Sequence, residues 1–284
     1  LLLIQLLCAP VSAVTAEPAA DAQTDAQTAS DNSAGDASAE ADSVPEDQLL
    51  SSREQFSVAA KAALLIDLNT NRVVYEQDAD ERVYPASLTK IMTCLIALEN
   101  GNLSDVVTVS ESALADLDED SSVAGLVVGE QMTLENLLYC MMVVSGNDAC
   151  NVIAEHVAGS VTDFVRMMNQ RAYELGCTNT HFNNPHGLHD ESHYTTARDL
   201  AIITQAALKS ENFRQIVDTY EYKLPDDNMR QNIPKLKTTN MLIYQSMSNS
   251  LYYPRAHGIK TGYTSQAGRC VISEATGDGL DLLG

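Results

Sequence analysis

The ten residues from Tyr84 to Thr93 constrain the fold more than any other part of this sequence. Pro85 supplies a fixed φ at a helix entrance and apolar residues occupy the following turns, which predicts the start of a buried helix. Residues three apart lie on one helix face, roughly 5–6 Å apart at Cβ, so Ser87 and Lys90 should point the same way. A lysine in a dry, electropositive site can activate a serine as a nucleophile. An isolated S-x-x-K pattern is more often a capping serine and a solvated lysine, so further motifs have to decide.

Two further short motifs follow in order along the chain. Ser145-Gly146-Asn147 lies on a predicted turn between two helices, and Lys260-Thr261-Gly262 lies at the end of a predicted strand. The triple S-x-x-K, S-x-N and K-T-G is the signature set of penicillin-binding proteins and class A β-lactamases. Three motifs in this order are far more specific than any one of them, and together they predict a lysine-activated serine.

The charge balance and the cysteine content exclude several classes of function. The 284-residue chain has a formal net charge of −22, which argues against nucleic-acid binding and against electrostatic docking on an anionic membrane. The six cysteines form neither a disulfide framework nor a paired zinc pattern. Cys94, Cys140 and Cys150 fall in apolar helical runs, which predicts small buried side chains, with a disulfide between two of them left open.

Three regions differ in composition. Residues 1–16 are apolar and end in small residues, which predicts a signal peptide truncated at its start, since no Met and no basic residues precede it. Residues 17–52 hold nine acidic residues and no Lys or Arg, which predicts a disordered acidic linker. Residues 53–284 form the predicted folded domain. Its last predicted strand stops at Gly284, so we expect that domain to be C-terminally truncated.

Local patterns predict the elements around the first two motifs. Strands at 62–67 and 72–75 should form a hairpin, and a helix should run from Ser87 to a stop at Asn100-Gly101. Thr133 should cap a helix that ends before the S-x-N motif, and Asp148 should cap the next helix.

Three further predictions concern the second half of the chain. Thr195 or Thr196 should cap a helix. A hairpin should pair residues 220–224 with 232–236. A strand at 257–261 should contain the first two residues of the K-T-G motif, with a turn over 262–267 and an antiparallel partner strand at 269–273.

Four histidines within thirteen residues raise the question of a metal site: His181, His186, His189 and His193. Their spacing matches no common zinc motif, and Pro185-His186-Gly187 predicts a loop. We therefore predict no metal site and no cofactor.

The motifs and their surroundings resemble the serine D-alanyl-D-alanine carboxypeptidase family, which comprises low-molecular-mass penicillin-binding proteins. The resemblance runs from about Ala62 to the end of the chain and includes residues 84–93, 145–149, 182–188, 196–201 and 258–264. It implies an α/β (α+β) class with an antiparallel sheet, helices on both of its faces and an all-helical subdomain. This is the penicillin-binding-protein/β-lactamase-like transpeptidase fold, with the site in the cleft between the two parts.

The resemblance also implies three catalytic roles. Ser87 attacks the carbonyl between the two terminal D-alanines of a peptidoglycan stem peptide. Lys90 accepts the serine proton, for which burial and the neighbouring Lys260 lower its pKa from roughly 10.4 toward about 7. Ser145 relays a proton to the leaving amine, and water then hydrolyses the acyl-enzyme.

Further residues are implied in substrate binding. Asn147 holds the substrate amide, and Lys260 and Thr261 bind the terminal carboxylate. Gly262 and Tyr263 belong to the same strand, where the Tyr263 N–H joins that of Ser87 in the oxyanion hole. By the same resemblance, His186 borders the site in a supporting role.

The implied partners are peptidoglycan stem peptides and β-lactams. The implied location is the outer face of the cytoplasmic membrane and the cell wall, with membrane contact only through a missing C-terminal anchor. Three alternatives stay open: a D,D-endopeptidase acting on cross-linked peptidoglycan, a class A-like β-lactamase and an inactive wall-binding protein. For the β-lactamase, the loop offers only Glu191 to activate water, and in no E-x-x-x-N setting.

Overall fold

A computed structural model describes residues 57–284, apart from residue 116, residues 118–120 and residue 247. The predicted signal peptide and the predicted acidic linker lie outside the described residues. Within the described part, no helix combines the length and the apolar composition that a bilayer span needs.

The main sheet has five antiparallel strands in the order β2-β1-β9-β8-β7. Its strands are β1 (Ala63–Asp67), β2 (Arg72–Gln77), β7 (Ala256–Thr264), β8 (Gly268–Gly277) and β9 (Leu280–Leu283). The predicted hairpin at 62–75 is β1–β2, with Leu65 opposite Tyr75. The first strand also pairs with the last, because Ile66 lies opposite Leu283.

Seven helices are found among the described residues. They are α1 (Lys90–Asn100), α2 (Glu111–Ala115), α3 (Leu134–Val143), α4 (Asn147–Ala158), α5 (Val161–Glu174), α6 (Ala197–Ala207) and α7 (Glu211–Val217). The predicted cap Thr133 accepts a hydrogen bond from the Asn136 N–H, and Thr196 accepts one from the Asp199 N–H. These side chains satisfy backbone donors that the first helical turn leaves free.

The prediction that Asp148 caps helix α4 is wrong. Helix α4 begins at Asn147, two residues earlier than a cap at Asp148 implies, and its N-cap is Gly146, which makes no side-chain cap. Asp148 lies inside the first turn and its carboxylate accepts hydrogen bonds from a neighbouring segment instead. A capping residue and an acidic first-turn residue have similar sequence patterns, so the sequence could not separate them.

Two short sheets accompany the main one. Strands β3 (Val106–Thr108) and β4 (Gln131–Thr133) pair, as do β5 (Glu221–Tyr222) and β6 (Leu236–Lys237). The predicted hairpin at 220–236 is therefore only two residues deep on each side. The connecting residues bind elsewhere: the Asn228 amide contacts the Gln131 N–H at 2.7 Å and the Gly129 carbonyl at 2.9 Å.

Helix α1 is the centre of the core. Its residues from Lys90 to Ala97 are all buried, and it packs against α3, α4, α5, α6 and α7. Helices α6 and α7 in turn contact the sheet at β1 and β7. The nucleophile motif, at the start of α1, is therefore held between the helical region and the sheet.

The other face of the sheet buries Leu65 and Ala275, which pack with Val58 from the segment before β1 and with Tyr253 from the loop before β7.

The cysteines behave as buried hydrophobes. Cys94, Cys140, Cys150 and Cys177 are buried, Cys270 is partly buried, and all five are free. The open alternative of a disulfide between two of the helical cysteines is therefore wrong.

Candidate active site

The nucleophile motif forms a short 3-10 turn rather than the first turn of the α-helix. The turn spans Ala86–Thr89 and leads directly into α1. Ala86 has φ of +48°, a left-handed conformation that is costly for a residue with a Cβ. This bend presents the partly exposed Ser87 side chain at the end of a buried helix.

Lys90 is fully buried and has three oxygen neighbours. Its Nζ lies 2.7 Å from Asn147 Oδ1, 2.8 Å from the His186 carbonyl oxygen and 3.1 Å from Ser87 Oγ. The first two oxygens can only accept, so they take the two protons of a neutral amine. The remaining lone pair is then available for the proton of the Ser87 hydroxyl, which is the geometry of a general base.

Burial favours the neutral form of both motif lysines. Burial lowers the pKa of Lys90, while the nearby Cys150 and Asp148 act to raise it. Burial and the charge of Lys90 lower the pKa of Lys260 to about 7. The neutral amine that a general base requires is therefore favoured by the surroundings of Lys90.

The S-x-N motif lies on the turn between α3 and α4. Ser145 has φ of +64°, which turns the chain sharply, and both Ser145 and Asn147 are buried. Asn147 reaches Lys90 through its side chain, and its backbone N–H donates to the Ser122 carbonyl at 2.8 Å. The turn therefore joins the second motif directly to the first.

The K-T-G motif lies entirely within β7, so the turn predicted over 262–267 is shorter and covers only residues 265–267. Gly262 pairs with Cys270 and Tyr263 pairs with Arg269, because the register with β8 continues to Thr264. Sheet pairing here overrides the local preference of a glycine for turns.

Strand β7 runs against the nucleophile turn. A Cβ added at Gly262 would lie 3.1 Å from the backbone nitrogen of Ser87, so only glycine allows this approach without displacement. Lys260 is buried and donates to the Thr261 carbonyl at 2.9 Å, and Thr261 Oγ1 is 2.6 Å from Thr239 Oγ1. The Tyr263 side chain is 67% exposed, beside the site rather than in its buried centre.

The histidine-containing loop closes the site from the other side. Gly187, with φ of +92°, lies against the Ala86 carbonyl, and Thr93 Oγ1 donates to the Pro185 carbonyl at 2.6 Å. Burial lowers the pKa of His186 to about 3, so its ring is neutral and its Nδ1 accepts from the Leu188 N–H. His186 supports Lys90 through its backbone carbonyl.

His193 is a structural partner that the sequence did not reveal. Its Nδ1 accepts from the Asn183 N–H at 3.1 Å, so its Nε2–H donates to Thr89 Oγ1 at 2.9 Å. Burial lowers its pKa to about 4, which keeps the ring neutral. His193 therefore links the loop to the nucleophile turn. These contacts are tertiary, and the local sequence around His193 does not indicate them.

The described residues contain no group of three or more potential ligands that could hold a metal ion. Glu191, the loop glutamate considered for a β-lactamase, is exposed. The predicted residues differ in how directly they meet. Ser87, Lys90 and Asn147 are in contact, and the charge of Lys90 lowers the pKa of Lys260. Ser145 lies on the S-x-N turn, whereas Thr261, Gly262 and Tyr263 lie in β7.

Comparisons with known proteins identify the family and the fold of this chain. The family profile described as D-alanyl-D-alanine carboxypeptidase matches residues 49–283. A D-alanyl-D-alanine carboxypeptidase of Bacillus subtilis is 41% identical over 224 residues, which cover 76% of this chain and 54% of that protein. One from Haemophilus influenzae is 37% identical, over 77% of this chain and 54% of that protein. The chain thus spans about half the length of the curated relatives it matches first.

Solved structures show the same fold. The crystal structure of a Streptomyces DD-transpeptidase is 32% identical with a TM-score of 0.72, covering 81% of this chain and 89% of that one. Penicillin binding protein 5 from Haemophilus influenzae is 34% identical with a TM-score of 0.70, covering 80% of this chain and 64% of that one. The three motifs, their meeting around Ser87 and the profile match over most of the chain lead to one conclusion: this chain belongs to the D-alanyl-D-alanine carboxypeptidase family.

Proposed function

We propose that this chain is a serine D,D-carboxypeptidase that removes the terminal D-alanine from peptidoglycan stem pentapeptides. The proposal rests on the hydrogen-bond partners of the Lys90 amine. Two carbonyl oxygens fix the two N–H bonds of its neutral amine and leave its lone pair 3.1 Å from Ser87 Oγ. A buried lysine held this way has little other use than to accept the serine proton.

The reaction then has two stages. Ser87 Oγ bonds to the carbonyl carbon between the two D-alanines while its proton passes to Lys90. The backbone N–H groups of Ser87 and Tyr263 stabilise the resulting oxyanion, at about 2.7–4 kcal/mol per donor in serine hydrolases. The C–N bond breaks, Ser145 relays the proton to the departing amine, and water hydrolyses the ester at Ser87.

The K-T-G residues of β7 explain why the enzyme selects the C-terminal end of its peptide substrate. The ammonium of Lys260 and the hydroxyl of Thr261 bind the terminal carboxylate of the substrate, and Asn147 holds its amide. A bound carboxylate favours the charged form of Lys260, which in turn favours the neutral form of Lys90. Substrate binding thereby prepares the general base.

The partners and the location are part of the same proposal. The substrate is a peptidoglycan stem peptide, and β-lactams acylate Ser87 because their amide is attacked in the same way. The enzyme acts outside the cytoplasmic membrane, at the cell wall, after export directed by residues 1–16.

A second candidate activity is transpeptidation. This activity is favoured by the similarity to the solved structure of a DD-transpeptidase. A transpeptidase differs from a carboxypeptidase only in the acceptor of the acyl group. Release of D-alanine from a pentapeptide, measured with and without an added amino-acid amine, separates hydrolysis from transfer. Cross-linked muropeptides as substrate test the endopeptidase alternative in the same assay.

Labelling with fluorescent penicillin tests the nucleophile. We expect one adduct per chain, located at Ser87 by peptide mass spectrometry, and no adduct in Ser87→Ala. Lys90→Met should keep the fold and lose acylation, because it removes the base but retains an apolar side chain of similar length. Penicillin labelling that survives in Ser87→Ala, or no labelling of the unsubstituted protein, contradicts the proposal.

A further inference from the structure

Asp148 is a buried carboxylate to which the mechanism above gives no part. It is 2% exposed and follows Asn147 in the first turn of α4. Its Oδ1 accepts from the backbone N–H groups of Ala124 and Ala149, both at 2.9 Å, and its Oδ2 accepts from that of Leu126 at 3.0 Å. Two of these donors belong to a segment more than twenty residues earlier in the chain.

The segment at residues 122–126 is fastened on both sides. The Ser122 carbonyl accepts from the Asn147 N–H at 2.8 Å, and the Gly125 carbonyl accepts from Arg230 Nη1 at 3.0 Å. Gly146 has no room for a side chain, because an added Cβ would lie 2.8 Å from Asp148 Oδ1 and 3.1 Å from the Ala124 nitrogen. The segment therefore packs closely on the S-x-N turn, with Asp148 between them.

Asp148 also affects the charge balance at Lys90. Burial raises the pKa of the Cys150 thiol to about 12, so that thiol is uncharged at neutral pH. The other titratable groups facing Lys90 are Lys260 from β7 and the neutral His186 from the loop. Within the part of the chain that the structure describes, Asp148 is thus the carboxylate that acts to raise the pKa of Lys90.

We propose that Asp148 is a positioning residue for acylation, which fastens residues 122–126 to the S-x-N turn and so fixes Asn147 against Lys90. The inference rests on the proposed function, because it assigns Asp148 to the step in which Lys90 activates Ser87. Three hydrogen bonds hold the Asp148 carboxylate, and the preceding residue, Asn147, binds the Lys90 amine, so a displacement of the turn moves the Lys90 Nζ.

The test is Asp148→Asn, an isosteric change. An amide has one acceptor oxygen, so its Nδ2 would meet the Leu126 N–H with two donors facing each other. We expect penicillin to acylate Ser87 about 10- to 100-fold more slowly, the size of effect that a misplacement near 1 Å produces. The acid limb of the acylation pH profile should move to lower pH, because the charged form of Lys90 loses a nearby negative charge.

Asp199→Asn is the matched control. Asp199 is also a buried first-turn carboxylate, and it holds the preceding segment through the Asn179 N–H at 3.0 Å and Thr180 Oγ1 at 2.8 Å. It should lower the melting temperature without changing the acylation rate or the acid limb. If Asp148→Asn lowers the melting temperature but acylates within twofold of the unsubstituted protein with the same acid limb, Asp148 is only structural and the inference is overturned.

Hydrogen exchange on the unsubstituted protein gives a second test that does not depend on a variant folding. The amides of Ala124 and Leu126 should exchange as slowly as those in the middle of α4, because a buried carboxylate accepts from both. Fast exchange at these two amides overturns the inference. A failure of penicillin labelling in the unsubstituted protein would instead contradict the proposed function.

Discussion

Replacing Gly187 by alanine tests how closely the loop must approach the nucleophile turn. A Cβ at this position would lie 1.8 Å from the Ala86 carbonyl oxygen, whereas Cβ contacts under 3.0 Å essentially never occur. The loop or the turn must therefore move by about 1.2 Å. Ala86 precedes Ser87 and the His186 carbonyl binds Lys90, so either movement separates the base from the nucleophile. A misplacement of this size costs about 100-fold in rate.

The assay is the second-order rate of penicillin acylation, with the melting temperature measured in parallel. Gly187 also has φ of +92°, and this strain alone costs about 1–2 kcal/mol of stability for alanine. Gly159→Ala is the matched control, because Gly159 has φ of +80° and nothing within 4 Å of an added Cβ. It should lose similar stability and keep its acylation rate. Acylation by Gly187→Ala within threefold of the unsubstituted protein would refute the reasoning.

Three further predictions concern the strand, a buried ion pair and pH. Gly262→Ala should slow acylation less than Gly187→Ala does, because its nearest new contact, at 3.1 Å to the Ser87 nitrogen, needs only a few tenths of an ångström; an equal loss contradicts this. Arg230→Ala leaves the fully buried Glu130 without its cationic partner, so it should lower the free energy of unfolding by about 3–5 kcal/mol in urea denaturation. A loss under about 1 kcal/mol contradicts this. Stability should fall as pH drops from about 6.5 toward 4, because unfolded histidines take up protons that the buried His186 and His193, with pKa values of about 3 and 4, do not. Each histidine contributes up to about 1.4 kcal/mol per pH unit to the free energy of unfolding. In urea titrations at several pH values, His193→Gln should therefore show a weaker dependence of this free energy on pH, and an unchanged dependence contradicts the low pKa of His193.

Much of the site could be predicted because its information is local. Ser87 and Lys90 are three residues apart, and residues at this spacing share a face in a 3-10 turn as well as in an α-helix, so the contact could be predicted although the type of turn could not. The caps at Thr133 and Thr196 are equally local, because the side chain binds a backbone N–H three residues away. The motif set then supplied the long-range meeting with Asn147 that no local rule contains.

The rest depended on tertiary contacts that have no local pattern. Gly262 indicated a turn, yet pairing with Cys270 keeps it in a strand. Asp148 has the composition of a cap, but its partners lie more than twenty residues away. The histidine cluster around His193 raises the question of a metal site, but the His193 ring is hydrogen-bonded to Thr89, which lies 104 residues earlier. In each case a distant partner competed successfully with the local preference of the residue.

The pairing of β1 with β9 has a consequence for how this domain assembles. One edge of β1 forms a local hairpin with β2, but its other edge pairs with Leu282 and Leu283, which lie at the far end of the domain sequence from β1. Contacts this distant in sequence slow folding, because the intervening chain must be ordered before they form. The sheet is therefore closed late, and an early hairpin with an open edge is the species most exposed to aggregation.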